Sequence, residues 1–280
     1  MKLTLIALIL AVVLGTAVAM APLATGVVST AQQGDLMALA TVEVSDAALE
    51  ENARRSMEFF EARQKEQQDD MEKQKLLKTH LGITLGVDIS TLVTKEKFQC
   101  LVRSGYTFAI PRGYRSLGSP DPNVIANLNN AQAAGIKYRD FYIFPCPKCG
   151  KTGQAQVVEA YNHVKGKATF GMMWLDIEGA NYWLGNYNSN RAFFESMLKG
   201  CAAVGANCGI YSSKYMWESI FGSGYTVGGN YPLWWAHYDY VANWNAWAPF
   251  GGWTKVRGGF MKQYSDKGSA CQVSYDMNFY

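Results

Sequence analysis

The chain has 280 residues, of which 49% are apolar, 18% charged and 13% aromatic, with a net charge of +3. It is too long for a disulfide-stapled miniprotein and too apolar for a disordered chain, and it suits one large domain or two small ones. So small a net charge gives no reason to expect nucleic acid as a partner, and beyond the N-terminus no apolar run reaches the roughly 18 residues that cross a bilayer.

Lys2 supplies a basic start, residues 3–14 form an apolar stretch broken only by Thr4, and Ala17-Val18-Ala19 places small residues where a signal peptidase reads. This predicts a cleaved signal peptide over 1–19, no membrane span once it is removed, and a secreted protein. Residues 20–80 form an N-terminal extension. Its first part is small and weakly polar. Residues 43–80 carry ten acidic and seven basic side chains and no Gly or Pro. Ser45 is placed to cap a helix there. The apolar residues of that helix are too sparse for a packed face, so a solvated spacer or propeptide is expected.

Residues 81–280 change again, with 18 basic and 12 acidic side chains and most of the Gly and aromatic content. A net +6 draws a domain toward anionic polymers, bacterial walls among them. Strands are predicted at 83–89, 106–112, 138–144, 168–178 and 208–212. Helices are predicted at 91–103, 121–134, 153–165, 189–204 and 213–221. The second starts at Asp121-Pro122, a capping residue before a first-turn proline. Three more strands follow with little helix between them, at 231–238, 258–264 and 271–277. Five β-α units and three further strands predict an α/β fold: a TIM-like barrel, (β/α)5(β)3, with eight strands and about five helices over 81–280. An open doubly wound sheet is the alternative, but no G-x-G-x-x-G follows the first strand.

A barrel of this kind places its chemistry at the C-terminal ends of its strands. Asp88 ends the first strand, Asp176 and Glu178 end the fourth, and Asp276 lies near the end of the eighth. Side chains two apart share a face, so Asp176 and Glu178 point the same way and Ile177 points to the helices. Burying two acids in so apolar a strand costs too much unless chemistry needs them. Carboxylates in a tryptophan-rich pocket suit glycoside hydrolysis, where one stays protonated as an acid and others stay charged. Trp174, Trp234, Trp235 and Tyr264 are candidates to stack on sugars, although Trp234 and Trp235 cannot both face the barrel. His80 and His163 stand apart and form no ligand spacing, and His237 lies near Trp235 and Tyr238 at the end of strand six.

The motifs GVDIS (86–90), FAIPRGY (108–114), MMWLDIEG (172–179), GIYSS (209–213), LWWAHYD (233–239), KQYSD (262–266) and SYDMNFY (274–280) occur in that order. In this the chain resembles glycoside hydrolase family 25, the Chalaropsis-type lysozymes. The resemblance implies Glu178 as general acid/base and Asp176 as the carboxylate that holds the substrate's N-acetyl group. It implies Asp88 and Asp276 as the site's other acids. The candidate substrate contacts are Arg112, Trp174, Tyr211, Trp235, Tyr238 and Tyr264. Pro111 stands where the family has an aliphatic residue. The implied activity is a retaining N-acetylmuramidase acting on bacterial peptidoglycan, with no metal or organic cofactor. A chitinase-like glycosidase and a non-catalytic glycan-binding barrel are the alternatives. The chain is expected to act as a monomer outside the cell, or in a lysosome or phagosome.

All six cysteines follow residue 80, and six allow fifteen pairings. Cys201 and Cys208 flank the turn at Gly205, and Cys146 and Cys149 can close a tight loop after strand three. Cys100 is left for Cys271, on strand eight beside strand one. The Cys146/Cys149 pair is better read as a structural disulfide than as a redox or zinc motif.

Overall fold

The protein's structure, a computed structural model, describes residues 38–75, 84–256 and 258–280. The signal segment expected at 1–19, and His80, lie outside the described residues.

Eight strands close into a barrel. They are β1 (Leu85–Ile89), β2 (Tyr106–Arg115), β5 (Phe141–Ile143), β6 (Met172–Asp176), β7 (Asn207–Ser212), β8 (Leu233–Ala236), β9 (Phe260–Ala270) and β10 (Val273–Phe279). Two short strands, β3 (Ser119–Pro120) and β4 (Tyr138–Arg139), pair with β2. Five helices pack outside: α2 (Lys95–Arg103), α3 (Val124–Ala133), α4 (Gly153–Val164), α5 (Tyr187–Val204) and α6 (Lys214–Phe221). The predicted (β/α)5(β)3 barrel is therefore the observed architecture. Thr94, Thr152, Asn186 and Ser213 cap α2, α4, α5 and α6 by accepting a backbone N–H three residues on. Asp121 does not cap α3, which begins at Val124; its carboxylate accepts from the Asn123 N–H and from Arg112.

The last strand runs against expectation. β10 is antiparallel to both β1 and β9, whereas β1–β2 and the other barrel pairs are parallel. β9 and β10 form a hairpin whose turn is Cys271-Gln272, both at φ 58°. A two-residue turn with left-handed φ at both positions matches the twist of the strands, though Asn-Gly is its usual sequence. Asp276 therefore enters the site from mid-strand, opposite Asp88 in the β1–β10 register, and not from a strand's C-terminal end.

Disulfides join Cys100 to Cys271, Cys146 to Cys149 and Cys201 to Cys208. The first ties α2 to the β9–β10 turn.

The largest departure from the sequence reading is α1 (Asp46–Lys75). It is not a solvated spacer; its inner face lies on the barrel. Asn52, Ala53, Ser56, Phe60, Arg63 and Gln67 form one buried stripe. Phe60 enters the barrel interior and meets Trp174 edge-to-face at 5.1 Å. Ala53 joins the apolar core with Leu49 packed beside it, and most of the other contacts are polar. Ser56 accepts from the Cys208 N–H, and Asn52 donates to the Ala206 carbonyl. Gln64 bridges the Phe260 carbonyl and the Gly259 N–H. Arg63 donates to Asp140 at 2.5 Å, both side chains being buried. Asp140 in turn accepts from the Met172 N–H and from Trp174 Nε1. The apolar pattern was sparse because this interface uses one aromatic anchor, small residues and hydrogen-bonded amides in place of an aliphatic stripe.

Candidate active site

Opposite that helix, at the C-terminal ends of the parallel strands, the four predicted acids converge. β6 is wholly buried and delivers Asp176 at its end. The chain then stays beside β7: the Ile177 N–H donates to the Tyr211 carbonyl, and the Ser212 hydroxyl donates to the Ile177 carbonyl. Ile177 is fully buried among the outer helices, so its neighbours on either side turn into the mouth. Gly179, at φ 61°, then bends the chain sharply away. Trp183 Nε1 donates to the Glu178 carbonyl at 2.9 Å and fixes the backbone behind that side chain.

Asp88 is held by neutral donors. Gln263 Nε2 (2.8 Å) and Asn278 Nδ2 (2.7 Å) both donate to its Oδ2. Trp234 Nε1 donates to Asn278 Oδ1, fixing which way that amide faces. Gln263 Oε1 accepts from Tyr211 and Tyr238, whose hydroxyls lie 3.0 Å apart, and Gln263 Nε2 also reaches Asp276. One network thus joins strands β1, β7, β8, β9 and β10 with Tyr238, two residues beyond β8.

Crowded acids with few cations keep their protons. Burial, then repulsion from Asp276, raises Glu178 to about 6. Burial, then the charge of Asp266, raises Asp276 to about 6. Asp88 is pushed up by burial and by Asp276, against the pull of its two amide donors. Asp176 is raised by burial, then by Glu178 and Asp88. Its Oδ1 is buried and accepts no hydrogen bond from the protein.

The predicted substrate contacts divide. Tyr211, Trp235 and Tyr238 line a groove of about 600 Å³ together with Glu178, His237 and the first turn of α6. Arg112 sits at the same end, fixed by Asp121 at 2.8 Å and by the Ser90 carbonyl. Trp174 does not reach substrate: fully buried, it packs over Gly209 against Phe60, where a Cβ on residue 209 would clash with its ring. Tyr264 faces outward toward Phe279 and lies away from the groove. Trp234 points into the barrel and Trp235 outward, stacked on His237 at 4.8 Å. Tyr142, Gln263 and Asn278 were not among the candidates. Tyr142 is half-buried within the field of Asp88, Asp176, Glu178 and Arg112.

A family profile described as "Lysozyme-like protein 1" matches residues 79–264. A Dictyostelium discoideum protein, "Probable GH family 25 lysozyme 2", is 48% identical over 206 residues, covering 73% of this chain and 94% of that protein. "Lysozyme-like protein 5" of Caenorhabditis elegans is 42% identical, covering 69% of this chain and 90% of its own length. Among solved structures, a family GH25 lysozyme from Aspergillus fumigatus superposes with a TM-score of 0.55 at 19% identity, over 71% of this chain and 93% of that one. That last likeness is one of fold.

Proposed function

Because the chain belongs to the glycoside hydrolase family 25 lysozymes, we propose that it cuts the β-1,4 bond between N-acetylmuramic acid and N-acetylglucosamine in bacterial peptidoglycan, with Glu178 as acid and base. The observation that carries this reading is the pairing at the end of β6. One acid, Glu178, opens on the groove with its proton held up to about 6, and beside it Asp176 keeps a buried oxygen without a donor.

Glu178 gives its proton to the glycosidic oxygen, and the leaving sugar departs neutral. Asp176 Oδ1 takes the N–H of the acetamido group. In the free enzyme burial favours the protonated form of Asp176; the arriving N–H favours the charged one, the Asp176 proton passing to solvent, so substrate itself completes the catalytic state. The acetamido oxygen, turned toward the anomeric carbon, attacks it as the glycosidic bond breaks. Glu178, now charged, takes a proton from water as that water opens the ring formed by the acetamido group. Two displacements return the starting configuration. Asp88 and Asp276, on the opposite side of the barrel mouth, turn their carboxyl groups toward the developing positive centre, whose charge favours their ionised forms. Tyr211 and Tyr238 hold Gln263 against Asp88 and present their rings to the groove.

The signal-like start at 1–19 and three disulfides support a secreted or lysosomal protein. NMR of the first product from a defined peptidoglycan oligosaccharide tests the mechanism. The β-anomer is expected; an initial α-anomer excludes the double displacement.

A further inference from the structure

Lys262 is a cation with no solvent contact, and nothing in the reaction above uses it. It lies on β9 between Met261 and Gln263, which face the barrel, so its own side chain faces outward. Among the described residues no helix lies between β8 and β9. The ammonium donates to both oxygens of Asp239 (2.8 and 2.7 Å) and to the carbonyls of Val241 and Asn243 (3.0 Å each). It also lies 5.2 Å from the centre of the Trp235 ring. Three alternate residues of one loop converge on one nitrogen. Between two of them Tyr240 is held at φ 61°, a conformation that residues other than glycine and asparagine rarely adopt. Such a backbone persists only where its surroundings enforce it, and here Lys262 does so together with the Tyr264 carbonyl, which accepts from the Tyr240 N–H, and Asp239 Oδ1, which accepts from the Val241 N–H.

The loop so gathered forms one wall of the catalytic groove. Tyr238 precedes it, and Ala246 and Ala248 from it face the groove that Glu178 opens on. Trp244 and Trp247 of the same loop pack outward against Trp235, Phe260 and Phe279. We propose that Lys262 is a positioning residue for catalysis: an internal cation around which the 239–248 loop folds, setting the width of the groove and hence the grip on the glycan strand. It takes the place that a helix would fill after β8. The inference rests on the reading of the groove as the glycan site.

The test compares wild type with Lys262→Met and Asp239→Asn on soluble, purified peptidoglycan fragments, measuring KM, kcat and Tm. Met keeps the length of the stem and removes the charge. Asp239 is partly exposed and can hydrate, so the fold has a route to survive. Lys262→Met is expected to raise KM about tenfold or more with kcat within about threefold. Asp239→Asn, which keeps one strong acceptor, is expected to fall between. Should Lys262→Met fail to fold, the milder variant carries the test alone, with a rise in KM of at least threefold expected. A lowered Tm with KM unchanged in every variant that folds overturns the proposal and leaves Lys262 a structural staple. Wild type inactive on peptidoglycan refutes the functional reading instead, a different outcome.

Discussion

Glu178 is raised from 4.5 to about 6, so the folded protein holds this proton more tightly than the unfolded chain does. The sign follows directly. Its protonation supports the fold fully below about 4.5, and that support is lost as pH rises through about 6. Above that, the fold carries a crowded, half-desolvated charge worth up to about 2 kcal/mol. Glu178→Gln is therefore predicted to melt several degrees above wild type at pH 7.5 and level with it at pH 4, by calorimetry. The same substitution is predicted to lower activity by roughly 10²–10⁴-fold, the usual worth of acid/base help. Wild-type activity should fall as pH rises past about 6, because the acid must be protonated to act. At this scale the acids were legible: Asp-x-Glu in an apolar strand has few inexpensive structural explanations. Gln263 and Asn278 were not, because neutral amides carry no signature until the groups they bridge are known. Trp174 was misplaced for a related reason. Strand alternation puts it on the inward face with Asp176, and alternation alone does not tell the floor of a barrel from its mouth.

At the scale of elements, α1 carries the clearest prediction. Arg63→Met leaves the Asp140 carboxylate buried and unmatched, so about 3–5 kcal/mol of stability should be lost. Phe60→Ala opens a cavity beneath Trp174 and should cost a similar roughly 3–5 kcal/mol. Urea unfolding measures both, and a chain beginning at residue 84 should unfold at a markedly lower midpoint than one that includes α1. Equal midpoints would mean that the helix rests on the barrel without supporting it. The helix itself was legible from composition, but its buried face was not, since Asn52, Ser56, Arg63 and Gln67 read as solvent-facing until partners are known. The β9–β10 hairpin escaped notice similarly. Its turn is Cys-Gln, with no residue that prefers left-handed backbone, and the Cys100–Cys271 disulfide pins it from outside.

Over the whole molecule, the helix-covered floor and the acidic mouth lie at opposite ends of one barrel, and residues 81–280 carry a net charge of +6. Activity on whole bacteria should therefore fall with added salt more steeply than activity on a small neutral oligosaccharide. Equal salt dependence would assign the charge to solubility alone. The Cys100–Cys271 bond spans 171 residues, so replacing both cysteines by serine should lower stability by about 4–5 kcal/mol if unfolded-chain entropy dominates. The barrel was legible at this scale because each β-α unit announces itself through short-range pattern. How the chain closes its floor is a long-range matter that local pattern does not carry. The most direct test of the central claim is the identity of the new reducing ends in a digest of purified peptidoglycan, read by mass spectrometry after borohydride reduction. Wild type is predicted to release fragments ending in N-acetylmuramitol, and Glu178→Gln to release almost none. Fragments ending in N-acetylglucosaminitol, or no release by wild type, would contradict it.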